Sequence, residues 1–214
     1  MARTDAPQPN RLYVTVYNQI VFDTPQFIQF MNRTPKLKAL EKGHVIFGNN
    51  AARVHLFPVS LPNPVYEGLS AIMPCRGKLD LQVSVLEEIF TWSLPPLSAL
   101  EDLCIHNNPL LQPDCQDNIE NAMWLELLHT FPAVKNLYLC EEFAPRIMPA
   151  LQELVGSRTT EVLPTLQKIF LEKLRESGPI QEGIRQFVAA RQVTGHPIAV
   201  SLWENALQNK VLIY

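Results

Sequence analysis

A short apolar pattern recurs four times in the second half of the chain, and it constrains the fold more than any other feature. It reads Leu100-x-x-Leu103-x-Ile105-x-x-Asn108, then Val134-x-x-Leu137-x-Leu139-x-x-Glu142. It returns as Leu166-x-x-Ile169-x-Leu171 and as Val200-x-Leu202-x-x-Asn205. The equivalent anchors Leu103, Leu137, Ile169 and Val200 stand 34, 32 and 31 residues apart. A near-constant step of this size marks a repeat architecture, in which each unit buries its apolar face against its neighbours. Such arrays bind other proteins more often than they do chemistry.

Within each repeat the apolar residues alternate, as in a strand with one buried face. In 102–106, Leu103 and Ile105 point one way and Asp102, Cys104 and His106 the other. The stretches 136–140 and 168–172 behave alike, and the last strand is expected from Ile198 to Trp203. Helical patterns lie between. Asp117 and Glu120 form a capping-box pair ahead of a Trp124, Leu127, Leu128, Phe131 stripe. Phe143, Ile147, Leu151 and Leu154 line a second helix, with Gly156 expected as its C-cap and a brief helical turn at 160–163. A last helix from Pro179 buries Ile180, Ile184, Phe187 and Val188 and stops at Gly195.

The first half carries a weaker version of this plan. A strand is expected from Tyr13 to Tyr17, a helix around Phe27, Ile28 and Met31, and a strand at 45–47. Asn49-Asn50 turns the chain into an antiparallel partner at 53–58, with histidines 44 and 55 flanking the hairpin. A Pro-rich loop at 61–64 leads to a strand at 69–73 and a helix at 83–92. The polar residues 1–10 are expected as a tail, and 11–214 as one repeat domain.

Doubly wound sheets are covered on both faces, so their strands read as continuous apolar runs. These strands instead place Asp, Asn, Lys, His and Glu on the second face, and no Gly-rich turn follows a strand. The expected fold is therefore α/β, a leucine-rich-repeat-like β-α solenoid. Its sheet would be curved and mostly parallel, with helices on one side.

Composition narrows the function. The chain of 214 residues carries a formal net charge of -3 with no basic stretch, which argues against nucleic-acid binding. No apolar run approaches the ~18 residues of a membrane span, and the N-terminus lacks the apolar core of a signal peptide. Cysteines 75, 104, 115 and 140 form no C-x-x-C pair and read as reduced thiols of an intracellular protein. Motifs for nucleotide, zinc-protease or serine-hydrolase chemistry do not occur, so neither metal nor cofactor is expected.

The second face supplies the candidate residues. In repeat register, Cys104, Tyr138, Phe170 and Ser201 share one rung, and His106, Cys140, Glu172 and Trp203 the next. Tyr138, Phe170 and Trp203 form the aromatic centre of a candidate partner surface, because exposed aromatics anchor interfaces. Lys168, Glu172 and His106 complete it. The competing reading of the aromatics is a cover by the apolar end 211–214. Cys104, His106, Cys140 and Glu172 carry a second alternative, a Cys-His nucleophile pair or partial metal site of an orphan hydrolase or transferase. Glu141-Glu142 reads as a solvated helix start.

Several stretches resemble one family: the C-terminal repeat regions of F-box-type proteins from mushroom-forming (basidiomycete) fungi. They are 94–103, 134–139, the run Phe143-Ala-Pro-Arg-Ile-Met-Pro-Ala-Leu-Gln-Glu-Leu-Val-Gly156, 186–192 and 195–198. Residues 33–36 and 47–54 are also similar, so the resemblance spans about residues 11–205. It implies a repeat region that recruits a protein target for a cullin-type ubiquitin ligase. The first 40 residues contain no F-box-like Leu-Pro-x-Glu run, so docking on the ligase adaptor requires an F-box supplied elsewhere. A scaffold or fragment of the repeat family is the remaining alternative.

Overall fold

The computed structural model describes residues 11–15, 34, 40–58, 68–75, 79–93, 97, 99–108, 119–154, 156–172 and 179–203. Strands form where the alternation places them: β1 (Arg11–Thr15), β2 (Lys42–Phe47), β3 (Ala51–Phe57), β4 (Gly68–Pro74), β5 (Asp102–Asn107), β6 (Asn136–Leu139), β7 (Lys168–Leu171) and β8 (Ala199–Leu202). The described α-helices are α1 (Leu79–Ser93), α2 (Asn121–His129), α3 (Ala144–Gln152) and α4 (Pro179–Val193). One sheet takes all eight strands in the order β1-β4-β3-β2-β5-β6-β7-β8. Only β3 runs against the rest, pairing antiparallel with β2 and β4, so the protein is a mixed α/β fold with a mostly parallel sheet.

The repeat is legible in the register. Leu103 pairs with Leu137, Leu137 with Ile169, and Ile169 with Val200. It is equally legible in the backbone between strands. The carbonyl of Glu41 accepts the amides of Glu101 and Asp102, that of Glu101 accepts Lys135 and Asn136, and that of Lys135 accepts Gln167 and Lys168. Before each strand a tight turn closes the same way, Leu100 on Leu97, Val134 on Phe131 and Leu166 on Leu163. Each unit thus hands its unpaired backbone donors to the preceding one.

Leu103, Leu137 and Ile169 are fully buried, in one core with Phe90 of α1, Trp124, Leu127 and Leu128 of α2, Ile147 and Leu151 of α3, and Phe187 of α4. Each helix packs on the next, α1 on α2, α2 on α3 and α3 on α4. Val200 is only half-buried, on β8, the edge strand of the sheet among the described residues.

The first half departs from a simple progression. β2 turns at Asn49-Asn50 into β3, as expected, and β3 continues antiparallel to β4. β1 then lies beside β4 rather than beside β2. Gly68 allows the close approach of β3 and β4. Its φ is +113°, and a Cβ there would lie 2.0 Å from the Leu56 carbonyl oxygen.

Several helix boundaries differ from those expected, and α1 begins at Leu79 rather than at residue 83. α2 starts at Asn121 with Glu120 as an N-cap that makes no side-chain capping bond, and Asp117 lies outside the described residues. α3 ends at Gln152 with Glu153 as its C-cap, not with Gly156. Gly156 instead takes φ +60° and opens a 3-10 turn, Gly156–Thr160, ahead of the position expected for it. The expected strand at Tyr13 begins two residues earlier and is described only to Thr15. The expected helix around Phe27, the loop at 61–64 and the apolar end at 211–214 lie outside the described residues. None of the described helices is long and apolar enough to cross a membrane.

Candidate functional site

The second sheet face is built from three rungs. The first joins Lys42, Asp102, Asn136 and Lys168. Lys42 lies 3.5 Å from the Asp102 carboxylate, and the Asn136 amide donates to the same carboxylate at 2.6 Å. The second rung runs Ser70, His55, His44, Cys104, Tyr138, Phe170 and Ser201. The third contains Ile46 and His106, then Cys140, Glu172 and Trp203 at the strand ends.

Tyr138, Phe170 and Trp203 do come together. The rings of Tyr138 and Phe170 stack with centroids 4.4 Å apart and planes 5° from parallel. Trp203 stands edge-on to Tyr138 at 5.4 Å, and its indole N–H reaches across β7 to the Leu139 carbonyl at 3.5 Å. The register explains the stack, since directly paired residues on neighbouring parallel strands sit ~4.8 Å apart. All three rings are partly exposed, Lys168 is exposed and Glu172 half-buried.

His106 does not belong to that exposed patch. It is 7% exposed, its Nδ1 lies 3.1 Å from the Asn107 carbonyl, and its ring meets His44 edge-on at 5.6 Å. His44 in turn lies edge-on to Phe57. The second face is therefore covered around β4 and β5, where Ser70 and Cys104 are also buried, and opens from β6 onward. Alternation in sequence reports which face a residue is on, not whether that face is wet.

Burial dominates the titration of this region. It drives the His44 pKa down to about 3, helped by repulsion from His106, His55 and Lys42. It lowers His106 and raises the Cys104 thiol, whose proton is further held by the nearby Cys140 and Glu172. The Cys140 thiol is pushed up to about 12 by burial and by its hydrogen bond to Glu142. Both thiols are therefore protonated at neutral pH, the opposite of an activated nucleophile.

Cys140 has different company from that expected. Its sulfur, a Glu142 oxygen and a Glu172 oxygen all lie within 4.8 Å of one another. His106 is not part of that group, and Glu142 is the residue that sequence reading missed. Two consecutive Glu residues before a helix look like a solvated start. Only the turn after β6 swings one of them back over Cys140. The cavity at the β2–β3 turn, lined by Phe47, Asn50, Arg53 and Asn108, holds about 50 Å³. That is far below the ~300 Å³ of an ordinary small-molecule pocket.

No protein-family model, curated protein or solved structure matches this chain.

Proposed function

We propose that this protein is a non-enzymatic protein-interaction module, a leucine-rich-repeat-like β-α solenoid whose partner docks on the open part of the second sheet face. The observation that carries this reading is the stacked Tyr138–Phe170 pair with Trp203 set against it, on a face directed away from the helical core. Rigid aromatic rings, already ordered before binding, lose little entropy on contact and fit the centre of an interface. Lys168 and Glu172 lie at its rim, where charges act more on association rate than on affinity. The family resemblance suggests the use of such a face: selection of a protein target for a cullin-type ubiquitin ligase, with an F-box supplied elsewhere for the adaptor. The hydrolase reading has less support, because its thiols are buried and protonated and His106 is turned to a backbone carbonyl.

The test is proximity labelling in cells with the wild-type chain, Phe170→Ala and Trp203→Ala. A partner labelled by the wild type should fall at least about fivefold with either variant, since a central aromatic contributes more than ~1 kcal/mol. Phe170→Ala should lose no more than the ~1.5 kcal/mol of an aromatic pair in folding stability. Equal labelling by all three proteins refutes the surface. A larger stability loss places Phe170 in the core instead.

A further inference from the structure

We propose that Cys140, Glu142 and Glu172 form a binding site for one divalent transition-metal ion of the zinc class. The inference does not depend on the interaction reading above. Its frame is the carboxyl ends of three adjacent parallel strands, where ligand sites of α/β sheets collect. Cys140 follows β6 and Glu172 follows β7, and each is held by its own amide to the preceding strand. Cys140 N–H donates to Ile105 at 3.2 Å and Glu172 N–H to Leu139 at 3.1 Å. The two residues are thus repeat equivalents set side by side. The turn that carries Glu142 is closed by the amides of Phe143 and Ala144 on the Cys140 carbonyl, at 3.2 and 3.1 Å. A Glu172 carboxylate oxygen is steered by the Glu141 amide at 3.2 Å.

The three ligand atoms lie within 4.8 Å of one another. Around a tetrahedral ion with a metal–sulfur distance of about 2.3 Å and a metal–oxygen distance of about 2.1 Å, sulfur and oxygen stand roughly 3.6 Å apart. About an ångström of side-chain movement therefore closes the site. The Asn107 side chain, only 8% exposed, accepts a hydrogen bond from the Cys140 thiol, Sγ to Oδ1 4.0 Å, and loss of that proton on metal binding frees its oxygen. This amide comes from β5, independently of the acidic pair, and is buried against the same sulfur.

Sulfur among the ligands disfavours magnesium and calcium and suits zinc, cobalt or cadmium. Binding replaces the thiol proton: Cys140–SH and M²⁺ give a Cys140–S–M bond and one H⁺ released to solvent. Glu142 and Glu172 keep contact with solvent, which provides the way in. The remaining position falls to the Asn107 oxygen or a water.

The test uses the full chain, stripped with a chelator and titrated with Co²⁺. One equivalent should bind with the intense near-ultraviolet absorption of a thiolate–cobalt bond, and Zn²⁺ should displace it. Cys140→Ala should abolish the band, and Cys104→Ala should leave it. Glu142→Gln and Glu172→Gln should each weaken binding by at least about tenfold, the lower range for partners one step further from a metal. These two solvent-touching substitutions keep the test decisive even where the buried Cys140 variant fails to fold. Absence of the band at millimolar Co²⁺, a band lost with Cys104 rather than Cys140, or unchanged affinity in both Gln variants overturns the site.

Discussion

Replacing Arg191 with Met tests the packing logic most directly. Arg191 lies on α4 and is 0% exposed, although it is the most polar side chain available. Its Nη1 donates to the Thr159 carbonyl at 3.0 Å, and its Nη2 to the carbonyls of Leu166 at 3.0 Å and Pro164 at 3.4 Å. Among the described residues no ion pair includes it and its Nε has no partner, and burial lowers its pKa. Three carbonyls thus substitute for a counter-ion. They come from the 3-10 turn itself, at Thr159, and from the stretch that leads on to β7, at Pro164 and Leu166, where Leu163 is held at φ +51°. Two effects oppose each other on substitution. Losing the guanidinium recovers several kcal/mol of desolvation. The three carbonyls stay behind, and each buried orphan acceptor costs about 1–3 kcal/mol. Replacing both members of a buried polar pair can be neutral, but here only one member leaves, so the orphans decide the sign. The net expectation is a loss of about 3 kcal/mol, or roughly 6–12 °C in melting temperature for a chain of this size. Arg191→Lys keeps the charge but not the fork that spans three acceptors, and should lose about 2 kcal/mol. Urea unfolding followed by circular dichroism measures both. A Met variant within about 1 kcal/mol of wild type would show that the fork does not hold this turn, and the account would fail.

Leu137→Ala, at a fully buried position between Leu103 and Ile169, should cost about 2–5 kcal/mol by urea denaturation; a loss under about 1 kcal/mol would contradict its place in the core. Gly68→Ala should destabilise by at least about 2 kcal/mol, because its Cβ would meet the Leu56 carbonyl at a φ that L-residues avoid; a wild-type melting curve would rule that geometry out. Stability should fall as pH drops below about 6.5, since His44 and His106 are held neutral in the fold while the unfolded chain takes up protons. The expected slope is up to about 1.4 kcal/mol per pH unit for each, continuing for His44 toward pH 3. His44→Gln should flatten the profile of unfolding midpoint against pH between 7.5 and 5, and an unchanged slope would exclude His44 as its source.

Local pattern alone determined much of this protein. Strict alternation around Leu103, Leu137 and Ile169 named the inward face of three strands and their mutual register, because the side-chain period of a strand is two and the repeat step is nearly constant. The placement of Tyr138 beside Phe170 on one rung followed from that register, while the parallel stacking of their rings did not. Asn49-Asn50 likewise marked the hairpin that reverses β3. Tertiary structure decided what local pattern does not encode. The pairing of β1 with β4 depends on contacts between segments more than fifty residues apart. Whether the second face is wet depends on neighbours across the sheet, so Cys104 and His106 are buried while Tyr138, at the same alternation phase as Cys104, is not. Glu142 came over Cys140 through a turn whose path is set by two backbone hydrogen bonds, and no spacing announces it. Arg191 falls on the same helical stripe as Ile184 and Phe187, and that spacing does not say how a guanidinium is accommodated in the core. It is buried because three carbonyls left over by a strained turn need donors there, a demand that arises only once α4 has packed against that turn.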